Sequence, residues 1–218
     1  MDGVLLDTED VWHEVRRDYV ALHGGRWVEA DQRAVMGANS AQWSGYIREH
    51  FGLAADEDMI YRSVVDMLSA RYSAQPPLLP GAREAVQGLA RVYPLGLASS
   101  SPLELIRFAL AAAGLDGYFR CLVSSDDVAL GKPAPDVYLL ACRRLGVEPK
   151  SAAAVEDSSN GILAAAAAGM AVVAIPNPSF PPSVEAVSVA CRVLSSVAEL
   201  TVGVIRGLCW RPLRRGDR

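Results

Sequence analysis

The chain has 218 residues, 51% of them hydrophobic and 21% charged, with a formal net charge of −4 at neutral pH. That length and apolar content support one well-buried core with a smaller lobe appended. No apolar stretch approaches the ~20 residues of a membrane span, and the first residues carry acids where a secretory signal carries lysines. The charge gives no reason to expect nucleic acid, so a soluble, cytoplasmic, monomeric protein with neither membrane nor nucleic-acid partners is expected.

In chain order, apolar residues recur at three- and four-residue spacing over 10–23, 40–51 and 56–72, which predicts an all-helical first third. Gln75-Pro76-Pro77-Leu78-Leu79-Pro80 then punctuates the chain and marks a domain boundary. Beyond it, short apolar runs over 95–99, 121–124, 152–155 and 171–175 alternate with helical segments starting near Pro102, Pro135 and Ser158, the pattern of a parallel α/β sheet. The row of alanines before Gly169 predicts a helix lying close on that sheet and capped by the glycine. Arg206, Arg211, Arg214, Arg215 and Arg218 gather in a solvated end. Cys121, Cys142, Cys191 and Cys209 are scattered without a C-x-x-C pair, so inert core thiols are expected rather than a zinc site or a disulfide framework.

Ligands of doubly wound folds bind beyond the carboxyl ends of the strands, which places the polar residues there among the candidates. Four segments combine: Asp2-Gly3-Val4 with Asp7-Thr8-Glu9, Ala98-Ser99-Ser100, Gly131-Lys132-Pro133-Ala134-Pro135-Asp136, and Val155-Glu156-Asp157-Ser158. Their order and spacing resemble the haloacid dehalogenase superfamily, and D-G-V-L-x-D-T-E, G-K-P-x-P-D and V-E-D-S-x-x-G-I are similar to its branch of β-phosphoglucomutase and small sugar phosphatases. The resemblance runs from Met1 to about Leu200. It implies a Rossmann-like core from 1–9 and 80–200, an inserted helical cap over 10–79, and an arginine-bearing tail over 201–218.

The resemblance also implies roles. Asp2 corresponds to the family's second aspartate, which protonates the leaving oxygen and then activates water. Ser99 would hydrogen-bond the phosphate with Ser100 beside it, and Lys132 would neutralise the phosphate and the nucleophile. Asp157 would bind Mg²⁺, Glu156 would assist directly or through water, and the Asp2 carbonyl would complete the ligand set. Hard oxygen donors around a phosphate suit that ion. The loop Met36-Gly37-Ala38-Asn39-Ser40-Ala41-Gln42-Trp43 resembles the cap loop that reaches the site, so Gly37, Asn39, Ser40 and Trp43 are expected substrate contacts. The alternative for Trp43 is a place in the cap core.

In the family the nucleophilic aspartate stands immediately before the position of Met1, in the pattern D-x-D-G, at the end of a central strand. The expectation is therefore that the natural start lies upstream, and that the chain beginning at Met1 lacks the nucleophile and its strand. Each buried ladder group left unpaired would cost about 1–3 kcal/mol against a total stability of about 5–15 kcal/mol, so that form is expected to fold poorly. The rival expectation is an inactive relative that binds a phosphorylated ligand, and retention of Asp2, Ser99, Lys132, Glu156 and Asp157 speaks against it.

Among reactions, dehalogenation needs neither an acid nor Mg²⁺, whereas Asp2 and Glu156-Asp157 offer both. A hexose phosphomutase must grip a second phosphate. Relative to β-phosphoglucomutase, the basic and amide pair after the serine motif is Pro102-Leu103, the cap-loop arginine is Ser40, and the cap-helix histidine is Trp12, with His13 next door. What remains is a Mg²⁺-dependent phosphatase acting through an aspartyl-phosphate, under a mobile cap. Its partner is a small phosphorylated metabolite: a sugar phosphate, a nucleotide or flavin mononucleotide, or a phosphoglycolate-like acid.

Overall fold

The computed structural model describes residues 1–36, 38–74 and 77–208. After a short turn at residues 1–6 come four helices: α1 (Glu9–Leu22), α2 (Glu29–Val35), α3 (Ser40–His50) and α4 (Glu57–Ala74). α1 buries Trp12, Val15, Arg16, Tyr19 and Val20, the i, i+3, i+4, i+7, i+8 stripe of an amphipathic helix. α3 starts on a reciprocal cap, in which Asn39 Oδ1 accepts from Gln42 N at 2.9 Å and Gln42 Oε1 accepts from Asn39 N at 3.0 Å. The short α2 is not among the helices read from the sequence.

Leu78 then pairs antiparallel with Leu6, returning the chain to its own beginning. The second part follows in the order α5 (Ala82–Ala90), β1 (Leu95–Ser99), α6 (Leu103–Ala112), β2 (Phe119–Ser124), α7 (Asp136–Leu145), β3 (Ala153–Glu156), α8 (Ser159–Ala167), β4 (Ala171–Ala174), α9 (Val184–Ser188), β5 (Arg192–Val193) and α10 (Val202–Arg206). All four strands expected from the sequence are present, and every pairing is parallel. All four residues of β4 are buried, as in a strand covered on both faces. Ala164 and Ala165 of α8 are fully buried, and α8 packs on β3 and β4. Its end is closed by Gly169 at φ +82°, with Met170 N donating to Ala165 O, so the expected cap is present.

The strands form two sheets, β1-β2 and β3-β4-β5, as expected for a core without its first strand. Among the described residues no strand joins β1 to β3, which is where the resemblance assigns a first core strand. Residues 1–6 make a turn there instead, with Leu5 and Leu6 both donating to the Met1 carbonyl. A continuous hydrophobic cluster nevertheless runs from Val15, Val20 and Trp43 of the helical layer to Leu105, Val173 and Leu194 of the layered part. Residues of α1, α2 and α3 share a cleft with Ser99 at the end of β1 and Glu156 at the end of β3.

Candidate active site

Most of the residues singled out from the sequence converge on one open cleft. Asp2, Ser99, Ser100, Lys132, Glu156 and Asp157 line its floor, and Trp43 faces them from the helical layer. Asp2 is oriented by three hydroxyls: Oδ1 accepts from Thr8 Oγ1 at 2.6 Å, and Oδ2 from Ser101 Oγ at 2.7 Å and Ser99 Oγ at 3.4 Å. Thr8 spends its hydroxyl here, and α1 accordingly starts without a side-chain cap. The next residue must be glycine. Gly3 sits at φ +68°, and a Cβ there would fall 1.9 Å from Asp157 Oδ2.

Lys132 Nζ donates to Glu156 Oε1 at 2.5 Å, with both side chains nearly sealed from solvent at 7% and 6% exposure. The Tyr138 hydroxyl donates to the same oxygen. Glu156 Oε2 lies against α8, where a Cβ on Gly161 would come within 2.0 Å of it. Burial works to raise the Glu156 carboxyl, but Lys132, the terminal amine and the two hydrogen bonds outweigh it and hold the group below its usual range. Asp157 goes the other way. Burial, then the charges of Glu156 and Glu9, push its carboxyl up to about 8.

Asp157 is only 5% exposed, yet its carboxylate accepts no hydrogen bond among the described residues. The Asp2 carbonyl likewise accepts no backbone hydrogen bond among them. Among the described residues no three His, Cys, Asp or Glu side chains are grouped to enclose an ion on their own. Asp157 and the Asp2 carbonyl, completed by oxygens of a ligand, nevertheless offer the all-oxygen donor set of a hard divalent cation. Glu156 has committed its carboxylate to Lys132 and Tyr138, which suits assistance through water better than direct ligation.

Of the cap-loop candidates, Trp43 reaches the cleft and is also cap core, at 1% exposure. Asn39 and Ser40 do not line it. Asn39 caps α3, and Ser40 faces the layered part, donating from N and Oγ to the Asp126 carboxylate at 3.0 and 2.7 Å. Met36 and Ala38 from the same loop line the cleft in their place. Gly37, Cys209 and the arginines at 211, 214, 215 and 218 lie outside the described residues. Cys121 and Cys142 are free thiols.

Sequence reasoning missed Ser101, Tyr138, Glu9, Arg16 and Gln32. One signal was available, since Arg16 falls on the apolar stripe of α1, four residues after Trp12. Arg16 is 6% exposed, its guanidinium stacks on Trp12 at 4.5 Å and Trp43 at 5.7 Å, and Nη1 donates to Gln32 Oε1 at 3.1 Å. Glu9 also lines the cleft, and its carboxyl is pushed up to about 7 by burial and by Asp2.

A family model described as haloacid dehalogenase-like hydrolase matches residues 1–169. Hexitol phosphatase B of Escherichia coli K12 is 33% identical over 215 residues, covering 95% of this chain and 94% of that protein. A phosphorylated carbohydrates phosphatase of Thermotoga maritima is 32% identical over 171 residues, covering 78% and 79%. The crystal structure of CbbY from Rhodobacter sphaeroides in complex with phosphate superposes with a TM-score of 0.81 at 28% identity, covering 92% of this chain and 93% of that one. With the site motifs in family order and the match extending over both the helical and the layered part, the chain belongs to the haloacid dehalogenase-like hydrolases.

Proposed function

We propose that the cleft is the active site of a Mg²⁺-dependent phosphatase of a small phosphomonoester, closed by α1–α4 as a cap. The observation that carries this reading is the convergence of Asp2, Ser99, Lys132 and Asp157 from four separate chain segments on one small cleft. Phosphoryl transfer requires charge neutralisation, hydroxyl donors and a positioned acid around one anion, and these residues supply them. The phosphatase names of the relatives agree with it.

Lys132 is held at the cleft floor by Glu156 and Tyr138 and would face the phosphate oxygens. Ser99 and Ser100 would donate hydrogen bonds to them. Asp157 and the Asp2 carbonyl would hold Mg²⁺, which when bound supplies the charge that balances the phosphate. Asp2, steered by Thr8 and Ser101, would give its proton to the leaving oxygen and take one from the attacking water. In the family pattern the phosphoryl acceptor is an aspartate two positions before the one that Asp2 matches. Of the three places that differ from a phosphomutase, Ser40 is tied to Asp126 and Trp12 is stacked on Arg16, so neither side chain itself grips a second phosphate.

The test is release of phosphate from sugar phosphates, nucleotides and phosphoglycolate in the presence of Mg²⁺. The chain is assayed as it stands and when preceded by an apolar strand ending in aspartate. Turnover is expected in the extended form, and Asp2→Asn should lower it by roughly 10²–10⁴-fold. Undiminished turnover in Asp2→Asn would remove Asp2 from this role.

A further inference from the structure

Arg16 is unusual among the cleft residues. It sits in the helical layer, across the cleft from the Lys132 floor, and it is buried. Of the five N–H donors a guanidinium carries, one is used among the described residues, in the bond to Gln32. Its Nε is buried without a partner, and no carboxylate of the described residues comes within ion-pair distance of the group. The planes of Trp12 and Trp43 fix it and allow little retreat toward solvent. A desolvated cation with spare donors at the wall of a ligand cleft is an incomplete interaction.

We propose that Arg16 is a specificity-determining residue that binds an anionic group at the end of the substrate remote from the reacting phosphate, a carboxylate or a second phosphoryl group. This rests on the reading of the cleft as a phosphatase site and narrows its substrate class. A neutral polyol would satisfy the donors but leave the charge uncompensated, whereas a planar carboxylate or a phosphoryl group answers both and matches the guanidinium fork. Gln32 accepts from Arg16 and holds the orientation of the guanidinium. Glu9 and Asp2 act on Arg16 electrostatically without forming an ion pair with it, and burial and Asp2 in turn raise the Glu9 carboxyl.

Binding rather than turnover tests this on the 218-residue chain. Calorimetric titration with Mg²⁺ present would compare matched pairs that differ at the far end only: 2-phosphoglycolate against 2-hydroxyethyl phosphate, 3-phosphoglycerate against glycerol 3-phosphate, and a 1,6-bisphosphate against its 6-monophosphate. The first member of each favoured pair should bind about 10–100-fold more tightly, the range of one charge-assisted bidentate contact. Preference confined to the first two pairs assigns the carboxylate, and preference confined to the third assigns the second phosphoryl group. Arg16→Met should abolish the preference while leaving affinity for the neutral member and for inorganic phosphate unchanged. Arg16→Lys, which keeps the cation and guards against a misfolded methionine variant, should retain a reduced preference of about 3–10-fold. Equal affinity within every pair, or a preference that survives Arg16→Met, overturns the assignment of Arg16 alone. Failure of inorganic phosphate itself to bind overturns the phosphatase reading, and the assignment with it.

Discussion

Replacing Lys132 with methionine tests the electrostatics of the cleft floor. In the native chain Glu156 is 5% exposed and receives bonds from Lys132 and from the Tyr138 hydroxyl. Removing the cation leaves a buried carboxylate with neutral donors only, and breaking such a pair costs about 3–5 kcal/mol. The Tyr138 bond survives, so the lower end is expected. Against a total of about 5–15 kcal/mol this should lower the urea midpoint by roughly 1–2 M at pH 7. The pH dependence carries the diagnosis. With Lys132 present the Glu156 carboxyl lies below its usual range, so its contribution is present above the unfolded value of about 4.3 and is lost as pH falls through the folded value. Without Lys132 burial raises the same carboxyl, and its charged form becomes a liability above pH 4.3. The deficit should therefore be largest at neutral pH and shrink as the medium is acidified toward pH 4. Urea unfolding followed by tryptophan fluorescence at pH 7 and pH 4.5 measures it. A deficit below about 1 kcal/mol, or one equal at both pH values, would refute the reasoning.

Three further outcomes follow from the geometry. Gly3→Ala places a methyl group where Asp157 Oδ2 lies and forces a positive φ on alanine. It should cost about 1–2 kcal/mol and remove the increase in melting temperature on adding Mg²⁺, and a variant still stabilised by Mg²⁺ would contradict the placement of Asp157. The Asp157 carboxyl is raised to about 8, so in the metal-free protein its burden on stability grows as pH rises from about 4 toward 8. A cation must displace that proton, hence Mg²⁺ affinity measured by calorimetry should strengthen across pH 6–8 and level off above, and a flat profile would count against it. Asp126→Ala removes both acceptors of Ser40, and hydrogen exchange at the start of α3 should quicken by about 3–10-fold while β4 amides are unchanged.

The cleft floor was legible in the sequence because each member stands in a family motif, several of them at strand ends. Ser99 closes β1, Glu156 closes β3 with Asp157 just beyond it, and Lys132 precedes the prolines that start α7. The strands were legible because parallel, two-face-buried runs such as that of β4 are apolar throughout. Arg16 and Gln32 were not, because they meet only when α1 and α2 pack, and the seven-residue α2 is too short to show a helical period. Ser40 was misplaced for a similar reason. Its alignment with a cap-loop arginine said nothing of Asp126, which lies 86 residues away and faces it only in the folded chain.

The central claim is best tested by the release of inorganic phosphate from small phosphomonoesters with Mg²⁺ and with a chelator, using the chain preceded by an apolar strand ending in aspartate and the same protein carrying Asp157→Asn. The account predicts release that requires Mg²⁺ and falls by about 10²-fold or more in Asp157→Asn. Release that persists in chelator, or that is unchanged by Asp157→Asn, would contradict it.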